Sequence, residues 1–160
     1  MAFLIGFGED GPNLDVITTD SRAFVVSAIG FDEERGESFV MHVSLDTNPT
    51  VGGHELSFCL VGTDENDRET PYWDGSETSF IRPPFRDLIL QTVVVAARAL
   101  VAELRPERIW LVTQGTNLPV RALRKYQTIN RMLATEGYDI QDTDYRYGVH
   151  TWILTRSRVA

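Results

Sequence analysis

A long apolar stretch from Phe85 to Thr113 constrains the fold of this chain more than any other feature. Pro83 and Pro84 precede it, and proline is tolerated there because the first helical turn has no internal acceptor for its N–H groups. From residue 85 to 104 the apolar residues recur at helical spacing, and they also spread beyond a single stripe. The sequence therefore predicts a helix at about 85–104 that is buried on most of its sides.

The ends of this helix are predicted from charge and proline. Asp87 falls in the expected first turn and Arg105 in the expected last turn, and the helix dipole favours a negative charge at the start and a positive charge at the end. Pro106 is expected to end the helix. The apolar run at 109–112 then predicts an interior strand. A membrane span needs about 20 uninterrupted apolar residues. Polar residues interrupt this helix at Gln91, Thr92, Arg98 and Glu103, so a core helix is predicted rather than a transmembrane one.

Alternating apolar residues predict strands on both sides of the long helix. The predicted strands lie at 14–19, 23–31, 37–45, 56–60, 138–145 and 149–155. The predicted fold class is α+β, with a mostly antiparallel sheet of N-terminal strands, one interior strand and a C-terminal hairpin, packed on two helices at about 85–104 and 119–135. A chain of 160 residues is predicted to form one domain spanning 1–160.

The charge of the chain is unevenly distributed. The first 80 residues hold 16 acidic and 3 basic side chains, whereas the last 80 hold 7 acidic and 12 basic ones, for a net charge of −8. This sign argues against general binding to nucleic acid, which depends on neutralising phosphates. The sequence has no signal-peptide pattern, so the expected compartment is the cytoplasm. Cys59 is the only cysteine and is expected to be a buried, inert thiol.

Several motifs are too incomplete to predict chemistry. Residues 6–11 match a dinucleotide-binding glycine pattern, but no helix is predicted after them, which favours a plain turn. The acidic segment 63–79 breaks the spacing of a calcium loop and is expected to be a solvated loop. Within it, Tyr72 and Trp73 either fold onto the core or present a contact surface. The three histidines have no metal-ligand spacing, so no metal, cofactor or catalytic residue is predicted.

One ligand-binding hypothesis follows from the predicted element ends. Polar residues follow the interior strand, where sheets that alternate with helices gather ligands, and arginines flank both predicted helix starts. The candidate ligand-binding residues are Arg82, Arg86, Gln114, Thr116, Asn117 and Arg121. If both helix starts lie at one edge of the sheet, three guanidiniums converge there and form a cradle for a carboxylate or phosphate. The alternative is that these arginines pair with the acidic residues at 64–77.

The predicted element order also resembles a known family. Three antiparallel strands, a helix, a strand, a second helix and a final hairpin, with Asn117 before the second helix and Gly137-Tyr138 after it, resemble the GNAT acyltransferase family over about residues 80–155. The resemblance implies a glycine-bearing pyrophosphate loop near residues 82–89, and this sequence has no glycine there.

Two function classes follow. The first is a non-enzymatic interaction domain that binds a second copy of itself, as a homodimer, or another protein, because the predicted central helix has a broad apolar surface and the two halves carry opposite charge. The alternative, implied by the resemblance, is a degenerate GNAT-like acyltransferase or acyl-CoA-binding protein.

Overall fold

A computed structural model describes residues 3–5, 14–73 and 77–158 of the chain. The described strands are β1 (Phe3–Ile5), β2 (Ile17–Thr18), β3 (Arg22–Asp32), β4 (Glu37–Thr47), β5 (His54–Thr63), β6 (Glu69–Tyr72), β7 (Arg108–Val112), β8 (Tyr138–Arg146) and β9 (Val149–Arg156). The two α-helices are α1 (Pro83–Leu104) and α2 (Arg124–Thr135). The predicted α+β class is confirmed.

All of these strands belong to one sheet. Its order is β1-β3-β4-β5-β7-β9-β8, with β2 also paired to β3 and β6 also paired to β5. β5 and β7 are the parallel pair, because α1 carries the chain back between them. The remaining pairs are antiparallel. The predicted interior strand is therefore β7, which lies between β5 and β9.

Helix α1 differs from the prediction at both ends. It begins at Pro83, so Asp87 lies beyond the first turn, and the helix has no acidic residue there. Arg105 is not in the last turn but is the C-cap, in the left-handed conformation with φ of 44°. The buried side is broad, yet Leu88 and Val95 remain 43% and 39% exposed. The burial predicted on most sides is therefore only partly found.

The second predicted helix begins later than expected. A tight 3₁₀ turn occupies Val120–Leu123, and α2 begins at Arg124. Arg121 therefore lies in a single 3₁₀ turn and not in the first turn of an α-helix. The helix predicted at about 119–135 is therefore found, but its first turn is a 3₁₀ turn that follows the extended Pro119, with ψ of 153°.

Both helices cover the same face of the sheet. Alternate residues of β4, such as Phe39 and Val43, are at most 1% exposed and belong to the same core cluster as Ala97 of α1. On α2, the fully buried Tyr126 ring lies 5.9 Å from Phe58 of β5 and 5.7 Å from Trp152 of β9. The contacts of α1 and α2 thus place both helices on one side of the sheet.

Three other regions refine the predictions. The strand predicted at 14–19 is reduced to Ile17–Thr18, and the segment expected to be a solvated loop at 63–79 contains β6. Tyr72 at the end of β6 folds onto the core and is 9% exposed, whereas Trp73 is 43% exposed. The glycine turn at 6–11 lies outside the described residues. In the described part of the chain, no helix combines the length and the apolar character that a membrane crossing requires.

Candidate functional site

The polar loop after β7 is held by contacts within the protein. The backbone N–H of Gln114 donates to the Tyr126 hydroxyl at 2.7 Å, and the N–H of Asn117 donates to the carbonyl of Gly148 at 2.8 Å. The Tyr145 hydroxyl donates to Asn117 Oδ1 at 3.3 Å. These bonds fasten the loop to α2 and to the turn of the β8–β9 hairpin, while Thr116 is exposed.

The start of α1 has little capacity to bind an anion. Pro83 and Pro84 are the first two helical residues and have no N–H groups, and the N–H of Phe85 already donates to the carbonyl of Arg82 at 3.0 Å. Arg86 Nε donates to the carbonyl of Ile81 at 2.9 Å. The Arg86 side chain therefore holds the segment before the helix, and Arg82 is exposed.

The loop after β7 and the segment before α1 both lie toward the end of β5. The Phe80 ring, just before α1, lies 5.5 Å from the Phe39 ring, and Phe39 pairs with Gly62 near the end of β5. β7 runs parallel to β5 with Leu111 opposite Leu56, so the loop after β7 begins at about the level of Cys59. Gly62 lies about 10 Å farther along at about 3.3 Å per residue. Convergence of the three arginines, and ligand binding by the loop after β7, stay predictions.

The more conspicuous feature is the face of the sheet opposite the helices, which we call the open face. No helix in the described ranges covers it, and alternation along the strands places a set of large apolar side chains there. The exposed members are Ile17 (48%), Val26 (40%), Phe31 (40%) and Trp73 (43%), and the half-buried members include Phe24, Val40, Val61, Trp110 and Ile153. An antiparallel sheet with one solvated face normally carries polar side chains on that face.

A small polar cavity of about 130 Å³ interrupts this apolar surface. Its lining comprises Arg22, His42, Ser44, Asp46, Ser57, Phe58, Cys59 and Trp73. The Ser44 hydroxyl lies 3.0 Å from Asp46 Oδ2 and 3.0 Å from the Ser57 hydroxyl. Arg22 Nε lies 3.0 Å from Asp46 Oδ1, and its guanidinium lies 4.8 Å from the centre of the Phe24 ring. The charged pair in the cavity is thus balanced within it.

Burial shifts the pKa values of two side chains that line the cavity, His42 and Cys59, in the directions that favour their neutral forms. Burial, together with the nearby Arg22 charge, lowers the pKa of His42 below its ordinary value of 6.5, and the His42 ring stacks 5.4 Å from Phe24. Burial raises the pKa of the Cys59 thiol. His42 pairs directly with Cys59 across the strands, but an activated thiolate–imidazolium pair would need shifts in the opposite directions.

Cys59 should therefore react slowly with a thiol reagent. At pH 8 we expect the native protein to react with 5,5′-dithiobis(2-nitrobenzoate) at least about tenfold more slowly than the protein in 8 M urea, because Cys59 is 8% exposed and its raised pKa suppresses the thiolate. Absorbance at 412 nm measures both rates. Reaction of the native protein as fast as the unfolded one would show that the thiol is activated and accessible.

No group of three or more metal-binding side chains occurs within residues 14–73 and 77–158. His42, His54 and His150 lie on β4, β5 and β9. The chain matches no protein-family model, and it has no significant match among curated proteins or solved structures.

The open face had a signal in the sequence. Residues 24–31 of β3 are apolar on both faces of the strand, with Val25 and Ile29 buried and Val26 and Phe31 exposed. A strand that is apolar on both sides is typical of burial on both sides. The pattern of β3 thus indicates that its open-face side is also buried. The described helices do not bury that side.

Proposed function

We propose that this protein is a non-enzymatic interaction domain that self-associates through the open face. The observation that carries the proposal is the apolar surface on the side of the sheet that the described helices leave uncovered. Exposed contiguous apolar surface on a folded protein is typical of an interaction site. Burying this surface against a second sheet would stabilise the assembly by about 25 cal/mol for each Å² of apolar surface removed from water.

Face-to-face association suits this sheet better than edge pairing. The edge strand β8 carries acidic residues and has an irregular register between Ile140 and Asp142. Asp139 and Asp144 on this strand are exposed. Charges and bulges on an edge strand oppose the addition of another strand. Two sheets, by contrast, pack about 10 Å apart by interdigitating side chains such as Val26 and Phe24.

A second copy of the chain is the partner that we favour. Closed two-fold pairs are the commonest soluble oligomers, and in them one patch meets its own copy. A self-complementary patch cannot carry strong unbalanced charge at its centre. Arg22 and Asp46 pair within the patch, and burial favours the neutral form of His42 by lowering its pKa. Glu55, which lies between Asp46 and Trp110 across the strands, adds one acidic side chain to the open face.

Lysine at position 26 should separate the copies. Val26 lies on the open face and is 40% exposed, and Val95 on the outer side of α1 is a matched control at 39%. A lysine in the interface would lose its hydration, so Val26→Lys should weaken association by about 100-fold or more, whereas Val95→Lys should change it little. Light scattering after size exclusion at micromolar concentration measures the mass.

The expected wild-type mass is twice that of the 18.1 kDa chain. A wild-type protein of single-chain mass at every concentration would reject self-association. If Val95→Lys dissociates the dimer and Val26→Lys does not, the contact surface is α1 and not the open face. Thermal melts of both variants show whether each remains folded.

Acyl-CoA binding, the alternative function, has weaker support. The element order behind the GNAT resemblance is present, but the paired prolines at the start of α1 leave few N–H groups for a pyrophosphate. Titration of acetyl-CoA with observation of amide NMR shifts tests it directly. Saturable shifts at Phe85–Asp87 would favour this alternative over an interaction domain.

A further inference from the structure

A second cavity lies away from the open face, between the carboxyl ends of both helices and the β8–β9 pair. Its volume is about 320 Å³, and its lining consists of Val101, Ala102, Arg105, Glu136, Tyr138 and Arg156. We call it the α1 cleft. Its size lies at the lower end of the range typical of small-molecule sites.

The balance of charge in the α1 cleft favours an anion. Glu136 is already paired with Arg98 at 3.0 Å, and Arg156 with Glu107 at 3.1 Å. The guanidinium of Arg105 has no hydrogen-bond or ion-pair partner among residues 14–73 and 77–158. Of the charged residues that line the cleft, Glu136 and Arg156 are thus each paired with a residue outside it, and Arg105 is exposed.

Arg105 and Arg156 both line the α1 cleft, and a hydrogen bond connects them. Arg105 adopts φ of 44°, a conformation that glycine adopts far more readily at the end of a helix. Its carbonyl accepts a hydrogen bond of 3.0 Å from Arg156 Nη1. This bond also satisfies one of the carbonyl groups that give the end of α1 its partial negative charge. Arg156 keeps further N–H donors, because a guanidinium has five.

Besides the two arginines, the lining of the α1 cleft contains the acidic side chain of Glu136 and three apolar or aromatic residues. Val101 and Tyr138 are 3% and 2% exposed, and the Tyr138 hydroxyl donates to the carbonyl of Pro106 at 2.6 Å. The hydroxyl is thereby used within the protein, and Ala102 is the exposed apolar residue of the lining. A cavity of about 320 Å³ holds on the order of ten heavy atoms, taking about 30 Å³ for each water-sized group.

We propose that the α1 cleft binds a small organic monocarboxylate. The carboxylate group pairs with Arg105 and Arg156, since a guanidinium matches a carboxylate with two parallel N–H donors. The hydrocarbon part of the ligand lies against Ala102, the exposed apolar residue of the cleft. This site is independent of association through the open face.

Benzoate is a suitable probe, and benzamide is its neutral counterpart of the same shape. We expect benzoate to cause saturable shifts of the Ala102 and Arg105 amide signals in NMR spectra, with affinity at least about tenfold higher than that of benzamide, because charge-assisted hydrogen bonds are the stronger ones. Arg105→Gly should weaken benzoate binding by at least about tenfold. Glycine suits the left-handed conformation, so this variant should melt no lower than the wild type.

Tyr147→Gly is the matched control, because Tyr147 also has a positive φ, of 52°, and is 97% exposed in the β8–β9 turn. It should bind benzoate with unchanged affinity. The proposal is overturned if benzoate causes no saturable shift, if benzamide binds equally well, or if Arg105→Gly retains the wild-type affinity while still folded.

Discussion

Replacing Ala97 by arginine should prevent cooperative folding. Ala97 is 0% exposed, as are its neighbours Ala96 and Leu100 on the inner side of α1. An arginine there would have to place a charge in an apolar core without a partner, which costs several kcal/mol. That cost is a large part of the total stability of a domain, about 5–15 kcal/mol. Urea unfolding followed by circular dichroism measures the effect.

Val95→Arg provides the control on the same helix. Val95 is 39% exposed, so an arginine there can reach water, and its free energy of unfolding should change by about 0.5 kcal/mol or less. A soluble Ala97→Arg protein with the wild-type unfolding transition would mean that the inner side of α1 does not face the core.

Tyr126→Ala should lower the free energy of unfolding by about 3–5 kcal/mol, the usual cost of truncating a buried aromatic side chain. Tyr126 is 0% exposed, and its ring lies 5.9 Å from Phe58 and 5.7 Å from Trp152. It therefore joins β5, β9 and α2 at the place where β5 and β7 diverge. Denaturant unfolding at 25 °C gives the difference directly.

Tyr126→Phe separates the hydroxyl from the ring. It keeps the packing but removes the acceptor for the Gln114 N–H at 2.7 Å, so it should cost about 1–2 kcal/mol. The NMR signals of the loop after β7 should also shift in this variant. If both substitutions cost less than about 1 kcal/mol, the ring does not contribute to the core as the structure indicates.

Local patterns were sufficient to predict most of the elements. The predicted α1 differs from the structure by two residues at its start and matches its end at Leu104, because proline and apolar spacing act within one turn. The strand predicted at 37–45 corresponds to β4, whose alternate residues from Phe39 to Leu45 are buried. Cys59 is buried as expected.

The candidate site was harder to predict, because it depends on distances between elements. The cradle hypothesis required both helix starts to lie at one level of the sheet. The position of each helix start along the sheet depends on how far β5 continues past its pairing with β7. No local sequence pattern predicts that length. The α1 cleft is formed by residues far apart in sequence, such as Val101 and Arg156.

The shared edge of β5 affects the order in which contacts can form. β6 pairs with Leu60–Thr63, and β7 pairs with His54–Leu56 along the same edge. The hairpin with β6 closes a short turn, in which Asp64 Oδ1 accepts the N–H of Arg68 at 3.0 Å, whereas β7 must return from a far longer excursion. Because the entropic cost of loop closure grows with loop length, we expect the β5–β6 pairing to form before the β5–β7 pairing. β7 is left with the part of the edge that the hairpin does not use, so a longer β6 would compete with β7 for the same backbone groups.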